Sequence, residues 1–354
     1  MSASAAETTD TPEIPGSDDI LDLLVIGAGP TGISIGAEAR EKGLSVLLVD
    51  RGALTAAIQG YPTFMEFFTT RDRLEIANIP FAIPEDKPTR RQALAYYRFV
   101  VERYKIPLAL HEQVVEVTPE SGDGIGFRVV TEATSPRIGA SRTRRARAVA
   151  FATGYFGNPV RLGVPGEDLP HVHNRYLEAY PHYGEDVVIV GGGNTAVEAA
   201  LDLWRNGARV SIVHRRAATK PGVKYWLKPD IENRIAEGSI TAHFESAVCA
   251  FRPGCVEISR VGDGPDGQRE ILLADAVYVL VGYRPEMDLL ARSGIEIEPE
   301  TLVPTFDPAT CESNVPGLYV AGTIQAGRVT DRIFIENSRD HGGRIVAHLR
   351  RGGR

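Results

Sequence analysis

The stretch Gly27-Ala28-Gly29-Pro30-Thr31-Gly32 decides the fold of this chain. It follows the apolar run Leu23–Ile26 and opens a pattern typical of a helix. Glycine tolerates the positive φ of a tight strand-to-helix turn, and it lets the backbone approach a pyrophosphate closely. The free N–H groups at the helix N-terminus attract the same anion. The motif therefore predicts a nucleotide-binding βαβ unit, with Ser45–Val49 as its second strand.

A second loop of the same build, Gly191-Gly192-Gly193-Asn194-Thr195-Ala196, lies further along the chain. It follows the apolar run Val187–Val190 and also opens a helical pattern. Each loop has a further small residue in the matching place, Gly36 in the first and Ala200 in the second. One such motif is weak evidence, but two with the same strand and helix context predict two nucleotide sites.

The two units differ at the position that distinguishes nucleotides. In each unit this position follows the first glycine by 23 residues, and it holds Asp50 in the first and His214, before Arg215 and Arg216, in the second. A carboxylate there accepts hydrogen bonds from ribose hydroxyls and repels a 2′-phosphate, whereas cations attract one. The first unit therefore suits FAD or NAD and the second suits NADPH. Two different dinucleotides in one chain predict an oxidoreductase.

Composition limits the other possibilities. The chain has 354 residues, enough for two domains, and a net charge of −7, which argues against nucleic acid as a partner. No apolar run approaches the roughly 20 residues that a membrane helix needs. Three cysteines without CxxC spacing favour a reducing cytoplasm. Residues 1–19 lack the layout of a signal peptide, and we expect a disordered lead-in there.

The chain returns after residue 285 to a strand-glycine-helix pattern of its own, which predicts that one nucleotide unit is inserted into the other. The predicted fold class is α/β, with two Rossmann-like, three-layer ββα nucleotide-binding domains and the NADPH domain inserted into the FAD domain. The FAD domain is expected over 20–162 and 286–354, and the NADPH domain over 163–285.

Further elements follow from periodicity and turn residues. Cys249 and Cys255 flank the turn of a predicted hairpin, and we interpret them as buried, with a redox pair as the alternative. The other predictions are a helix over Thr89–Tyr104, strands Val114–Thr118, Gly126–Thr131 and Ala146–Ala152, a basic loop Ser135–Arg145, a linker Gly163–Gly184, a helix Pro229–Gly238, the hairpin Ala247–Ser259, strands Ala276–Leu280 and Leu318–Ala321, and a helical tail Arg332–Leu349.

Glycines at predicted strand ends extend the candidate site, because open α/β sheets bind ligands there. For FAD we expect Gly27, Gly29, Pro30, Thr31, Gly32, Asp50, Arg51, Val115, Thr153, Gly154, Gly322 and Thr323; for NADPH we expect Gly191, Gly193, Asn194, Thr195, Ala196, His214, Arg215 and Arg216. The helix after Gly322 is expected to aim its N-terminus at the flavin. No metal site is predicted, and no catalytic side chain stands out.

Two aromatic segments have open interpretations. The stretch Tyr61–Phe68 either walls the flavin or belongs to the core. Lys224-Tyr225-Trp226 either covers a ring of the second nucleotide or begins an amphipathic helix.

The order of these motifs resembles the low-molecular-weight thioredoxin reductases over almost the whole chain after the lead-in. More closely, the chain is similar to the YpdA-type bacillithiol disulfide (bacilliredoxin) reductases. The resemblance rests on Gly60-Tyr61-Pro62-Thr63-Phe64-Met65-Glu66-Phe67-Phe68-Thr69-Thr70, Lys87-Pro88-Thr89-Arg90-Arg91, Val223-Lys224-Tyr225-Trp226, Pro229-Asp230-Ile231-Glu232-Asn233-Arg234 and Ile333-Phe334-Ile335-Glu336-Asn337. It implies non-covalent FAD, NADPH as donor, a homodimer or larger assembly, and a small or protein disulfide as acceptor.

The chain departs from one or the other of these families at three places. His171-Val172-His173-Asn174-Arg175-Tyr176 stands where thioredoxin reductases carry a redox CxxC. Thr31 stands where many YpdA-type proteins carry a cysteine, and Thr323 where thioredoxin reductases carry an aspartate. The predicted reaction is hydride transfer from NADPH to FAD, followed by two electrons to a disulfide, without a CxxC relay.

Three alternatives remain open from the residues. A ferredoxin–NADP reductase-like protein also lacks CxxC, and the basic segment Arg137–Arg147 would then serve as its docking surface. A flavin monooxygenase would use oxygen as acceptor. A non-enzymatic, NADPH-sensing flavoprotein would bind both nucleotides and turn over slowly with every acceptor.

Overall fold

The structure is a computed structural model, and it describes residues 14, 16, 19–120, 126–136, 141–263, 267–330 and 332–352. Most of the expected lead-in and Arg137 of the basic segment lie outside the described residues. The chain divides into two compact units. Unit 1 is Met1–Gln59, Glu66–Gly157 and Arg284–Arg354, and unit 2 is Gly60–Met65 and Asn158–Tyr283.

The division falls after Gly157 and Tyr283, a few residues before the expected boundaries at 162 and 285. The sequence carries no sign that Gly60–Met65 belongs with unit 2. Thr63 donates its N–H to the carbonyl oxygen of Leu177 at 2.8 Å, and Phe64 packs edge-on against Tyr180. These are contacts between distant parts of the chain, which local patterns do not reveal.

Unit 1 is built on a seven-stranded sheet. Its strands are β1 Ile20–Ile26, β2 Val46–Asp50, β3 Leu108–Leu110, β4 Glu112–Pro119, β5 Phe127–Ala133, β6 Arg142–Phe151 and β15 Leu318–Val320. Strand β6 pairs with β1 on one side and with both β5 and β15 on the other. The first half of β6 pairs with β5 in antiparallel fashion, and its last three residues pair with β15 in parallel. The carboxyl ends of β1, β6 and β15 therefore lie at one edge of the sheet.

The helices of unit 1 begin where the sequence supplies start signals. Proline occupies the first position of α1, and Thr89 forms a capping box with Gln92 at the start of α4. Gly342 allows α9 to approach α1, because a methyl group there would lie 2.9 Å from the backbone of Ser34. The helices are α1 Pro30–Glu41, α2 Ala56–Gln59, α3 Arg71–Leu74, α4 Arg90–Tyr104, α7 Asp288–Arg292, α8 Ile335–Ser338, α9 His341–Arg351 and the 3-10 helix Gly322–Ala326.

Unit 2 has three layers, which confirms the predicted ββα arrangement. Alternate residues of β8 face opposite ways: Val187 and Ile189 join the core beneath α5, whereas Val188 and Val190 pack against the antiparallel sheet β11-β12-β13. The parallel sheet has the order β10-β9-β8-β14-β7. The elements are β7 Val172–His173, β8 Asp186–Val190, α5 Asn194–Arg205, β9 Arg209–His214, α6 Lys228–Ala236, β10 Thr241–Phe244, β11 Ser246–Arg252, β12 Cys255–Arg260, β13 Arg269–Leu273, β14 Ala276–Val279 and the 3-10 helix Tyr180–His182.

Two sequence predictions were wrong in unit 1. The basic segment from Arg142 onward is not a loop but the start of β6, and Arg144 is buried in an ion pair with Glu112 at 2.8 Å. The tail is not one helix, since α8 and α9 are separated at Arg339 and Asp340. Ser34 of α1 donates its hydroxyl to the carbonyl oxygen of Arg339 at 2.8 Å, which holds the chain at this break.

The prediction that Cys249 and Cys255 are buried was also wrong, because both are half-buried. Cys249 lies in a bulge between Val248 and Ala250, and its Sγ lies 3.1 Å from the hydroxyl of Ser259. Cys255 pairs with Arg252 at the hairpin turn rather than with Cys249. Over the described part of the chain, no helix has the length and apolar character needed to cross a membrane.

Candidate nucleotide sites

The three glycines of the first loop are needed for different reasons. Gly27 has a φ of +114°, and a methyl group on it would lie 2.4 Å from the carbonyl oxygen of Ala152. A methyl group on Gly32 would lie 2.0 Å from the carbonyl oxygen of Gly27. At Gly29, by contrast, no protein atom lies within 4 Å of that position. The space at Gly29 is therefore open to a ligand, as the approach of a pyrophosphate requires.

Asp50 is the last residue of β2 and is fixed beside this loop. Its Oδ2 accepts the N–H of Ala28 at 2.7 Å, and its Oδ1 accepts the N–H of Gly52 at 2.8 Å. Each carboxylate oxygen has a further lone pair, so the group can still accept hydrogen bonds from ribose hydroxyls.

The carboxyl ends of β1, β6 and β15 bring together predicted residues from three parts of the chain. A methyl group on Gly322 would lie 2.8 Å from Oγ1 of Thr31, and one on Gly154 would lie 3.4 Å from Oγ1 of Thr323. Thr153 and Gly154 follow Ala152, the first residue after β6. The loop and these strand ends thus lie together at one candidate site. Pro30 of the loop is the first residue of α1.

Arg51 and Val115 make other contacts. The guanidinium of Arg51 lies 3.0 Å from Glu286, in an exposed ion pair. The carbonyl oxygen of Val115, in the bulge of β4, accepts a hydrogen bond from Arg292 of α7 at 3.1 Å. The contact that holds Val115 is therefore to α7 rather than to the glycine loop.

Two residues at this site were missed by the sequence analysis, Ser338 and His341. The hydroxyls of Thr31 and Ser338 lie 3.3 Å apart, and Ser338 donates to the carbonyl oxygen of Phe334 at 2.7 Å. Nδ1 of His341 accepts the N–H of Gly322 at 3.0 Å. Burial lowers the pKa of His341 to about 4, so the ring is neutral. No periodicity or spacing marks either residue.

The segment after Gly322 also differs from the expectation. It is a 3-10 helix of five residues, and the N–H of its first residue is already bound to His341. The segment is therefore a short 3-10 turn whose first N–H is occupied, rather than the free N-terminus of a long helix.

The second loop has the same division of roles. Gly191 has a φ of +148°, and a methyl group on it would lie 2.5 Å from the carbonyl oxygen of Leu280. A methyl group on Gly192 would lie 2.7 Å from the ring of His214. Gly193 faces a more open space, with the side chain of Lys220 as its nearest neighbour at 3.7 Å.

Cations surround the end of β9. Arg215 and Arg216 are exposed, whereas His214 is buried. Burial first, and then the charges of Lys220, Arg216 and Arg215, lower the pKa of His214. Its Nε2 is buried without a hydrogen-bond partner among the described residues. The positive charge at this edge is thus carried by two arginines and Lys220.

Lys220 was also missed, although a signal was available. It is the third cation within six residues of His214, and it precedes the turn residues Pro221 and Gly222. The first turn of α5 contributes the remaining predicted residues: Asn194 binds the backbone of Gly222 and Lys224, Thr195 is exposed, and Ala196 is buried beside Gly191.

None of the three cysteines lies in either glycine loop. Cys249 and Cys255 belong to the hairpin of unit 2, and Cys311 is fully buried in unit 1. Burial raises the pKa of the Cys311 thiol, which keeps it protonated. The region of the missing CxxC instead holds β7 and the buried Tyr176, which donates its hydroxyl to Asp202.

Residues 24–322 match the family described as Pyridine nucleotide-disulphide oxidoreductase. The chain belongs to this family. It is 35% identical to the bacilliredoxin reductase Bdr of Bacillus subtilis (strain 168), over 92% of this chain and 96% of that protein. The bacillithiol disulfide reductase Bdr (YpdA) from Bacillus cereus has a similar structure, with a TM-score of 0.85 and 33% identity over 94% of this chain and 99% of that one. The thioredoxin reductase of T. acidophilum shares the fold, with a TM-score of 0.71 and 19% identity over 94% of this chain and 98% of that one.

Family membership confirms the α/β fold class and the resemblance to the YpdA-type branch. The chain is an oxidoreductase of the thioredoxin reductase-like class, and its cofactors are FAD and NADPH. The open space at Gly29, the fixed carboxylate of Asp50 and the cations after β9 fit these two groups.

Proposed function

We propose that this chain is an NADPH-dependent reductase of a disulfide of the bacillithiol or bacilliredoxin type, working without a protein thiol. The match along nearly the full length of two Bdr proteins is the observation that carries the proposal. The charged residues at the ends of the second strands support it: Asp50 ends β2, and Arg215 and Arg216 follow β9. They suit two different dinucleotides.

In unit 1, the proposed FAD site uses the first loop. The N–H groups at the start of α1, next to Gly29, would receive the pyrophosphate. Asp50 would accept hydrogen bonds from the ribose. Thr31, Gly154, Gly322 and Thr323 would line the inner end of the site, with Arg51, Val115 and Thr153 further out. We propose residues 20–162 and 286–354 as the FAD domain.

In unit 2, the proposed NADPH site uses the second loop. Gly191, Gly193 and the first turn of α5 would bind the pyrophosphate, and Arg215, Arg216 and Lys220 would bind the 2′-phosphate. The buried ring of His214 lies directly against Gly192. We propose residues 163–285 as the NADPH domain. When bound, NADPH supplies a hydride and FAD passes on two electrons, which is the redox chemistry that the chain itself lacks.

Reduction of a disulfide consumes two electrons and two protons and releases two thiols. The place where many YpdA-type proteins carry a cysteine is held here by Thr31, whose hydroxyl lies against Ser338. A threonine hydroxyl does not form a mixed disulfide, because only a thiolate attacks a disulfide sulfur. The chain's part is thus to bind and orient the acceptor, and we assign no catalytic side chain.

We also propose a compartment and an assembly for this chain. The three cysteines are free, and we infer a reducing cytoplasm as the compartment. A homodimer or larger homo-oligomer is proposed from the resemblance. Ferredoxin is retained as the second acceptor to be tested.

The test is an anaerobic titration of the purified holoprotein with NADPH, followed at the flavin absorbance band. Bacillithiol disulfide, an oxidised bacilliredoxin, ferredoxin and oxygen are then added in separate samples. We expect NADPH to bleach the band and a disulfide to restore it stoichiometrically. Recovery with ferredoxin or oxygen alone would contradict the disulfide proposal while keeping the cofactors. Slow recovery with every acceptor would favour an NADPH-sensing flavoprotein.

A further inference from the structure

Two adjacent aromatic side chains stand in water beside the second glycine loop. Tyr225 is 82% exposed and Trp226 is 49% exposed. A single exposed aromatic residue needs no explanation, but a large ring that a second ring supports at the edge of a nucleotide site is a surface on which a planar ligand can stack.

The segment that carries these rings, Lys220–Trp226, is attached to the loop at several points. Lys220 donates its N–H to the carbonyl oxygen of Gly192 at 2.8 Å. Asn194, the first residue of α5, accepts the N–H of Lys224 at 2.9 Å and donates to the carbonyl oxygen of Gly222 at 3.2 Å. Val223 is buried in the core of unit 2. The segment is therefore held over the helix end that faces the proposed pyrophosphate.

Neighbouring side chains fix the rings themselves. Lys224 pairs with Glu198 of α5 at 2.7 Å, and its Nζ lies 5.4 Å from the centre of the Trp226 ring. Tyr225 meets Trp226 edge to face, with ring centres 4.9 Å apart. Both rings precede α6, which begins at Lys228, and Tyr225 is 82% exposed, so this ring does not belong to the buried face of that helix. Because these contacts already order the side chains, less conformational entropy is lost when a ligand binds.

We infer that Tyr225 and Trp226 form a platform on which one planar ring of NADPH, the adenine or the nicotinamide, stacks. The exposed face of Tyr225 is the stacking surface, and Trp226, perpendicular to it, supports Tyr225 edge to face. This inference rests on the proposed function, since it assigns positioning residues to the same nucleotide site. At one end of the segment, Lys220 lies near Arg215 and Arg216, which are proposed to bind the 2′-phosphate. At the aromatic end, the N–H of Lys224 is bonded to Asn194 in the first turn of α5. Stacking on an aromatic face depends on ring area and needs no specific hydrogen bonds, so the platform adds affinity beyond that of the phosphate contacts.

The experiment uses the chain's two tryptophans, Trp204 and Trp226. In the holoprotein, Trp204→Phe leaves Trp226 as the single tryptophan reporter, and NADP⁺ is titrated so that no turnover occurs. We expect saturable quenching of the Trp226 emission. By calorimetry, Tyr225→Ala should weaken NADP⁺ binding about tenfold, as the loss of one stacked ring predicts, whereas Tyr225→Phe should bind normally. Equal quenching by 2′,5′-ADP would identify the ring as adenine, and quenching by NADP⁺ alone as nicotinamide.

A matched control is available in the same unit. Tyr183 is 81% exposed and packs beside Gly207, at the other end of α5, so Tyr183→Ala should leave the affinity unchanged. Unchanged affinity in Tyr225→Ala, with no change in Trp226 emission, would overturn the platform while NADP⁺ binding itself survives. A wild-type protein that does not bind NADP⁺, or an Arg215→Ala/Arg216→Ala variant that binds it normally, would instead contradict the proposed nucleotide site, and the platform with it.

Discussion

At the level of single residues, the fold requires glycine at position 32, whereas at position 29 it is the proposed ligand that requires glycine. A methyl group on Gly32 would collide with the backbone of Gly27, whereas one on Gly29 would meet no protein atom. We therefore expect Gly32→Ala to lower both thermal stability and flavin content. We expect Gly29→Ala to keep the melting temperature of the apoprotein while FAD affinity falls about tenfold or more, because the methyl group occupies space that the pyrophosphate needs.

The two glycine variants are compared by their flavin-to-protein absorbance ratio and by thermal unfolding after the flavin is removed. Gly43→Ala would be a poor control because its φ is positive, so Gly343→Ala, in open space on α9, is preferred. A Gly29→Ala protein that holds FAD as tightly as the wild type would show that the open space at Gly29 is not the pyrophosphate position.

His341 gives the fold a dependence on pH. Its pKa is about 4 in the folded protein, because burial disfavours the charged ring, and near 6.5 when unfolded. Between these values the unfolded chain binds a proton that the folded chain does not, so stability is complete above about pH 6.5 and is lost as the pH falls toward 4. The full loss of stability, reached once the pH is below 4, is on the order of 3 kcal/mol. Protonation also removes the acceptor for the N–H of Gly322.

The measurement is urea unfolding, followed by circular dichroism, at pH values from 7.5 to 4.5. His341→Asn offers an acceptor oxygen without a titrating group, so its stability should fall less over this range than that of the wild type. Carboxylates titrate in both proteins, and the difference between the two curves isolates the histidine. Parallel curves would contradict the assignment.

At the level of elements, α4 shows how a short signal sets a helix boundary. Oγ1 of Thr89 accepts the N–H of Gln92, and Oε1 of Gln92 accepts the N–H of Thr89 at 2.8 Å. We expect Thr89→Ala to reduce the free energy of unfolding by about 1 kcal/mol, since it leaves an amide at the helix end unsatisfied. Thr89→Ser keeps the oxygen and should be close to neutral. Equal losses in the two variants, measured by urea unfolding, would mean that the methyl group matters rather than the cap.

Elements whose signals are local in sequence are the ones that could be predicted. The two βαβ units were predicted correctly, because glycine motifs, apolar runs and the terminal residues Asp50 and His214 all act locally. The segment after Gly322 was not, since it ends where Gly327 packs against the backbone of Thr301 and Leu302. The break before α9 likewise depends on Ser34, a residue distant in sequence.

The residues of the candidate sites likewise fall into those that local sequence predicts and those that it does not. Asp50, Arg215 and Arg216 are predictable because they occupy a fixed position after a strand. Ser338 and His341 reach the first site only through the packing of the C-terminal segment against α1 and the end of β15. Their role therefore appears only once the strand ends have been brought together.

At the level of the whole molecule, the distribution of thiols determines what kind of disulfide reductase this chain can be. Cys311 is buried, and Cys249 and Cys255 lie on a hairpin of unit 2, where neither pairs with the other. If no protein thiol carries electrons, a variant with all three cysteines replaced (Cys249→Ser, Cys255→Ser and Cys311→Ala) should reduce its disulfide within about twofold of the wild-type rate. The wild type should likewise show no free thiol that is consumed during turnover.

The rate is measured per bound flavin, with the melting temperature recorded, because Cys311→Ala removes a buried side chain and lowers stability by an amount unrelated to chemistry. A variant with Cys249→Ser and Cys255→Ser alone controls for that effect. Loss of activity in the triple variant at full flavin content, with the double variant active, would identify Cys311 as a participant despite its burial. Retained activity in both would mean that the acceptor disulfide is reduced without any cysteine of this chain, in keeping with the threonine at position 31.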